Sequence, residues 1–303
     1  TGTDGIATFT ATSGSIPVPA GSKITATATD PSGSTSEFSC FAGQCAGGTG
    51  GLAQEDLRAL LGGSPTCRIS FVVNINTDEP DTNPGDGVCD VSSDPGSQCS
   101  LRAAIQTTNS QPGFDIIHFD IQPGGVQTIN ATSQLPDIID LVILDATSQP
   151  GYGGTPIIEL NGDATTDAVG LGLASGSDNS SITGFAVNRF AFNIAIATND
   201  VSVENCYVGL GPSGAAAGTY GGGDNQVGID LIYSTANGNT IGSIYPEKRN
   251  VISNNNIGVR LTEGASANKV QGNRIGAVEL DVLFDLRQVA RDVIHRRIVA
   301  RLN

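Results

Sequence analysis

The sequence predicts an all-β protein whose main body is a parallel β-helix, a solenoid of short strands stacked turn upon turn. Three observations predict it. From Phe114 to Gly276, short Val/Ile runs alternate with Gly, Asn, Asp and Ser, a texture of stacked strands rather than long helices. Within that region, Ile182-Thr-Gly-Phe-Ala-Val-Asn188 and Val203-Glu-Asn-Cys-Tyr-Val-Gly209 repeat one pattern at an offset of 21 residues. An offset near one solenoid turn places equivalent side chains in vertical files about 4.8 Å apart. The composition agrees: 40 Gly, no Met, no Trp and few aromatics disfavour a helical enzyme and suit small residues packed in columns.

In chain order, residues 1–40 form the first unit. Gly5 to Ala11 and Lys23 to Thr29 alternate small or apolar residues with Thr, the period-two pattern of half-buried strands. With Asp30-Pro-Ser-Gly-Ser-Thr-Ser-Glu-Phe-Ser39 they resemble the closing strands of immunoglobulin-like modules in bacterial surface proteins. About 40 residues are too few for a whole sandwich, so the unit is a partial β module whose missing strands come from elsewhere. Residues 41–68 are a Gly-rich linker with cysteines and one helical island, Gln54 to Leu61, which is either a docking helix or a transient helix in a tether.

Residues 69–277 are the predicted β-helix. Expected strands are Ile69 to Asn76, Phe114 to Ile121, Val126 to Asn130, Asp140 to Asp145 and Pro156 to Leu160. The repeat continues in Val270-Gln-Gly-Asn-Arg-Ile-Gly276 and, one residue longer, in Val251 to Gly258. On this register Phe185, Cys206, Asn254 and Asn273 share one column, which makes Cys206 a small buried residue more readily than a disulfide partner. Residues 278–303 carry Leu283, Leu286, Ala290, Val293, Ile294 and Leu302 at helical spacing, with five Arg largely elsewhere on the wheel. An amphipathic C-terminal helix covering the last turn is expected; an assembly or membrane-surface helix is the alternative.

The two dissimilar halves meet at Cys89-Asp-Val-Ser-Ser-Asp-Pro-Gly-Ser-Gln-Cys99, followed by Ser100-Leu-Arg-Ala-Ala-Ile105. Leu101, Ala104 and Ile105 fall on one face of a short helix that Ser100 can cap. That face suits a lid over the apolar end of the first turn, with Arg102 and Gln106 outward. Cys99-Ser-Leu-Arg-Ala-Ala-Ile105, preceded by Asn83-Pro-Gly-Asp-Gly-Val-Cys-Asp90, resembles the signature of CSLREA-type surface proteins, departing from it at Ala103, where the family commonly has Glu. The resemblance covers residues 70 to 277. It implies a secreted or cell-surface bacterial protein and a right-handed, pectate-lyase-like parallel β-helix entered at this motif.

Six cysteines lack the paired short knuckles of a zinc site and read as disulfides, Cys89 with Cys99 and a second pair among Cys40, Cys45 and Cys67. Oxidised cysteines place the chain outside the cytoplasm. No signal peptide or membrane-length apolar run is visible, and an opening in strand-like texture suggests a processed product or fragment. The formal charge is −15; residues 278–303 set five Arg against four carboxylates, leaving −16 on the rest. Such a body repels nucleic acid and attracts cations. Asp78, Asp81, Asn83, Asp86 and Asp90 place hard oxygens in one Gly/Pro-bent loop, with calcium as the candidate ion and a solvated acidic loop as the alternative.

Polysaccharide lyases and hydrolases also use β-helices, but their Asp-Asp, Gly-His-Gly and Arg-Ile-Lys elements are absent here and His118 sits in a strand pattern. The expectation is therefore a non-enzymatic structural or adhesive protein. Its partners are copies of itself or other surface proteins, and residues 5–39 can join chains into a filament by strand addition. A polysaccharide-binding or polysaccharide-cleaving protein is the alternative. Clustered carboxylates with Arg or aromatic platforms on the solvent-facing strand positions would favour it; the exposed candidates legible in the sequence are Thr183, Glu204, Tyr207, Gln271 and Arg274.

Overall fold

A computed structural model describes residues 68–94, 98–218, 226–262 and 264–276. The expected partial β module, the linker with its island at 54–61, Cys40, Cys45 and Cys67, and the C-terminal helix at 278–303 lie outside the described residues. Those described form parallel β-sheets with one α-helix, α1 (Leu101–Ser110). Strands are numbered in chain order.

The first sheet is ordered β1 (Arg68–Val73), β2 (Phe114–Phe119), β4 (Leu141–Asp145), β7 (Ser181–Thr183), β10 (Ser202–Glu204), β13 (Thr240–Ile241), β16 (Lys269–Val270). The second runs β3 (Gln127–Asn130), β5 (Ile158–Asn161), β8 (Phe185–Asn188), β11 (Tyr207–Val208), β14 (Val251–Ser253), β17 (Arg274–Gly276). The third runs β6 (Val169–Leu173), β9 (Phe192–Ile196), β12 (Val227–Leu231), β15 (Ile257–Leu261). Every pairing between these strands is parallel, and from β4 to β17 the chain visits first, second and third sheet in strict rotation. One earlier round, β2 then β3, completes itself at Ile138, which bridges Leu173 of β6.

Local chemistry explains why the strands are short. The third position of the repeat is Gly184, Asn205 or Gly272, with φ of 82°, 52° and 67°. Gly adopts this left-handed conformation without strain and Asn at small cost, so each of these repeats turns there from the first sheet to the second. The interior is one continuous apolar cluster running from Phe71 to Val259, fully burying Phe119, Phe185, Leu144, Ile182, Val203 and Ile229 among others.

The corners are held by asparagine ladders. Asn250 Oδ1 accepts the Cys206 N–H at 2.9 Å while its Nδ2 donates to Val203 O at 2.8 Å. Asn273 repeats this one strand on, accepting the Asn250 N–H and donating to Ile241 O. Asn239 and Asn268 do the same at the corner entering the first sheet, where Asn239 accepts the Val201 N–H and donates to Thr198 O. Each amide thus pairs the buried backbone of the preceding strand, a pairing that regular strand hydrogen bonds cannot supply at a corner.

The column Phe185–Cys206 therefore continues to Asn250 and Asn273, not through Asn254 as expected. Tyr207 pairs with Val251, which places Asn250 beside Cys206. The expected alignment fails because residues 242–249 form an extra loop within this repeat, so Val251 belongs to the second sheet although its sequence matches first-sheet positions. Asn254 lies beyond the strand at φ 61° and donates to Gly209 O and Gly218 O. Asn250→Ala should destabilise the fold by about 2 kcal/mol in urea unfolding, because it strands the buried Cys206 N–H and Val203 carbonyl.

Candidate functional site

Two regions can carry function: the closure at the start of the sheets, and the outward face of the first sheet.

At the closure, Cys89 and Cys99 are bonded (Cα–Cα 5.2 Å), joining the acidic loop to the start of α1. Ser100 caps the helix, its Oγ accepting the Ala103 N–H at 3.0 Å and donating to Glu79 O at 2.6 Å. Leu101, Ala104 and Ile105 are fully buried in the main core, as the apolar face requires. Arg102 corrects the expectation of an outward side chain: it is 8% exposed. Its guanidinium takes Asp78 in a fork, Nε to Oδ1 at 3.0 Å and Nη2 to Oδ2 at 2.8 Å, and donates to Ser133 O and Gln134 O, both at 2.9 Å. Asp78 Oδ2 also accepts from Thr132 N and Oγ1. Gln106 is half-buried, its Oε1 accepting the Asp81 N–H at 2.8 Å. The helix is therefore covered on both sides, by the sheets beneath and by the acidic loop above.

That packing gives the candidate calcium ligands other partners. Asp78 is committed to Arg102, and Asp81 accepts from Thr107 Oγ1 at 2.5 Å and from Asn83 N at 2.7 Å. Asn83 donates to Asp86, Asp86 Oδ1 accepts the Val88 N–H at 2.9 Å, and Asp90 accepts from Thr82 Oγ1 at 2.5 Å. Among the described residues no three His, Cys, Asp or Glu side chains are grouped to hold a metal ion. The loop works as a brace of charge-assisted and backbone hydrogen bonds on α1.

The outward face of the first sheet presents an in-register row, Val72, His118, Asp145, Thr183, Glu204. His118 Nδ1 lies 3.9 Å from Asp145 Oδ2. Asp145 Oδ1 accepts from Thr147 N and Oγ1, and Glu204 pairs with Lys248 Nζ at 3.0 Å. Tyr152 reaches over this corner to bond Asn205, and burial raises its phenol pKa. The 242–249 loop beside Glu204 exposes Ile244 and Tyr245. Thr183 and Glu204 thus share one row, while Tyr207 and Arg274 face out from the second sheet and Gln271 follows the last strand of the first. Sequence inspection missed His118 and Asp145 as neighbours because 27 residues separate them; only the parallel register reveals it.

The interior holds two perturbed groups. The Cys206 thiol is free, and burial pushes its pKa up to about 12, so it is a packing residue rather than a nucleophile. Asp115, 1% exposed, has its carboxyl raised to about 7 by burial, with the Ile69 N–H lowering it and Asp140 raising it further. Its Oδ1 accepts the Ile69 N–H at 3.3 Å and its Oδ2 is buried without a partner. Asp115 lies in the Ile69–Val142–Ser180–Val201–Asn239 column, where it takes the ladder position that Asn239 fills further along. No substrate atom can approach it there. No described helix is long and apolar enough to cross a membrane. No protein-family model and no curated protein matches this chain.

Proposed function

We propose that this chain is a non-enzymatic extracellular structural protein, a stiff spacer or adhesive stalk in which the three sheets are the faces of one right-handed parallel β-helix entered at α1. The supporting observation is the strict rotation among three parallel sheets, which a chain achieves most simply by coiling about a single axis. Parallel crossovers within a sheet are right-handed in about 98% of cases, which sets the expected hand. The disulfide at the entrance favours an oxidising compartment. Among the described residues the two carboxylates of the first sheet's outward row have partners, Asp145 with Thr147 and Glu204 with Lys248, and Asp115, raised to near neutrality, is buried. The CSLREA-like entrance motif and filament growth through residues 5–39 belong to the same proposal.

Binding of a neutral polysaccharide along the first sheet is a second reading, favoured by the His118–Glu204 row beside exposed Tyr245. The deciding experiment incubates oxidised protein with neutral and uronic-acid polysaccharides, measuring new reducing ends, unsaturated products and retention on each polymer. The expected result is no product with any polymer. Turnover abolished by Asp145→Asn or Glu204→Gln would overturn the structural reading, whereas retention without turnover selects glycan adhesion.

A further inference from the structure

Charge is divided along the sheets. Residues 69–94, which run from β1 through the loop over α1, hold six carboxylates and no Lys or Arg. Residues 240–276, which include the last strand of each sheet, hold five Lys or Arg against two carboxylates. The stretch between them, 95–239, is acidic, with 13 carboxylates against two Arg. The rest of the chain does not reverse this division: residues 1–67 set five carboxylates against two cations, and residues 278–303 set five Arg against four carboxylates. The two extremes also carry apolar surface. The acidic loop exposes Glu79, Asp86, Asp94 and Val88. At the other extreme, β16 and β17 have no further strand beside them among the described residues, and they expose Lys269 and Arg274. Val270 and Ile275 there are 40% and 36% exposed, although Ile241 and Ile252, one strand back in the same files, are fully buried.

We propose that two copies of this chain join head to tail, the basic edge at β16 and β17 of one docking on the acidic loop of the next. Within one chain these surfaces cannot meet, because β1 and β16 are opposite edges of a seven-stranded sheet, about 29 Å apart at about 4.8 Å per strand. Among the described residues no hydrogen bond or ion pair takes the side chains of Glu79, Asp94, Lys269 or Arg274, so these charges are available to a partner. A symmetric pairing of two basic edges would set Lys269 and Arg274 against their own equivalents, and like charges brought together oppose association. Docking on the outward row of the first sheet meets carboxylates already held, Asp145 by Thr147 and Glu204 by Lys248. The acidic loop instead brings opposite charge to the cations and Val88 to the apolar edge. Such a joint is heterologous and leaves a free end of each kind, so it can repeat. It covers the bare edges of β16 and β17, which otherwise invite unregulated pairing. The joint rests on the stacking proposed above and differs from strand addition by residues 5–39 in both surface and chemistry.

Sedimentation equilibrium of the oxidised full chain tests this. At about 0.1 M salt, charges more than about 10 Å apart are screened, so the juxtaposed ends outweigh the net charge of −15. The weight-average mass should rise with concentration to at least double that of one chain, and fall back in about 1 M salt. Lys269→Glu/Arg274→Glu and, separately, Glu79→Lys/Asp94→Lys should each weaken association at least tenfold. Mixing the two variants should restore pairing, because the intact acidic loop of one then meets the intact basic edge of the other; restored pairing also shows that both fold. A wild-type chain that stays monomeric at every concentration overturns the proposal, as does a monomeric mixture of variants that unfold like wild type. Association that survives both reversals overturns it too, and assigns the joint to residues 5–39. Label distances within one chain test the stacking axis itself, so failure of the joint and failure of the axis are told apart.

Discussion

Arg102→Ala should lower unfolding stability by about 3–5 kcal/mol, the cost of removing one partner from a buried ion pair. The Asp78 side chain is 2% exposed and would be left with Thr132 alone as donor. The Ser133 and Gln134 carbonyls lose their donors together, so the segment after β3 detaches from α1 as the pair breaks. Arg102→Lys should recover little, because an ammonium cannot present a planar fork to Asp78 while reaching two carbonyls on the other side. Arg102→Met combined with Asp78→Leu should recover most of the loss, since no buried charge then remains. Urea unfolding of the oxidised proteins gives the comparison. An Arg102→Ala loss below about 1 kcal/mol would show that the pair is solvated.

Asp115→Asn should stabilise the protein in a pH-dependent way. The folded carboxyl titrates near 7 and the unfolded one near 3.8, so the folded state binds the proton more tightly. Asp115 therefore costs nothing below the unfolded pKa; its cost grows as pH rises from about 4 to 7 and is constant above. At about 1.4 kcal/mol per pKa unit the gain from Asn approaches 4 kcal/mol at pH 8 as an upper bound and vanishes near pH 4. Asparagine keeps the acceptor for the Ile69 N–H and replaces the unpartnered Oδ2 with a neutral amide, the group used at Asn239 and Asn250. Thermal unfolding of both proteins from pH 4 to pH 8 should give curves that meet at the acid end and diverge upward. Parallel curves would mean that Asp115 is solvated in the folded state.

These two residues show where sequence reasoning stops. The short apolar runs bounded by Gly, Pro or Asp locate β2, β3, β4 and β5 to within two residues, because such runs are a property of neighbouring residues. The disulfide and the helix at 101–110 are legible for the same reason. Arg102 was misplaced because a helical wheel ranks faces only against the core, whereas its partners Asp78, Ser133 and Gln134 are distant in sequence. The third sheet was largely illegible: its strands carry Gly170, Gly172, Asn193, Ala195 and Gly228, which break the Val/Ile signal. Close packing demands some of them, since a Cβ at Gly228 would sit 2.4 Å from the Gly258 carbonyl oxygen. In the candidate calcium loop, composition marks the carboxylates but not their donors, Thr107 Oγ1 for Asp81 and the Val88 N–H for Asp86.

Spin-label distances along the first sheet test the central claim of a single stacking axis most directly. Ser70, Ser202, Thr240 and Lys269 occupy one in-register row, four, five and six strands apart from the first label. Pairs Ser70–Ser202, Ser70–Thr240 and Ser70–Lys269 should give separations of about 19, 24 and 29 Å, rising by one strand spacing of about 4.8 Å each time. Distances that fail to rise in equal steps, or that shorten for the last pair, would contradict a chain wound in successive turns about one axis.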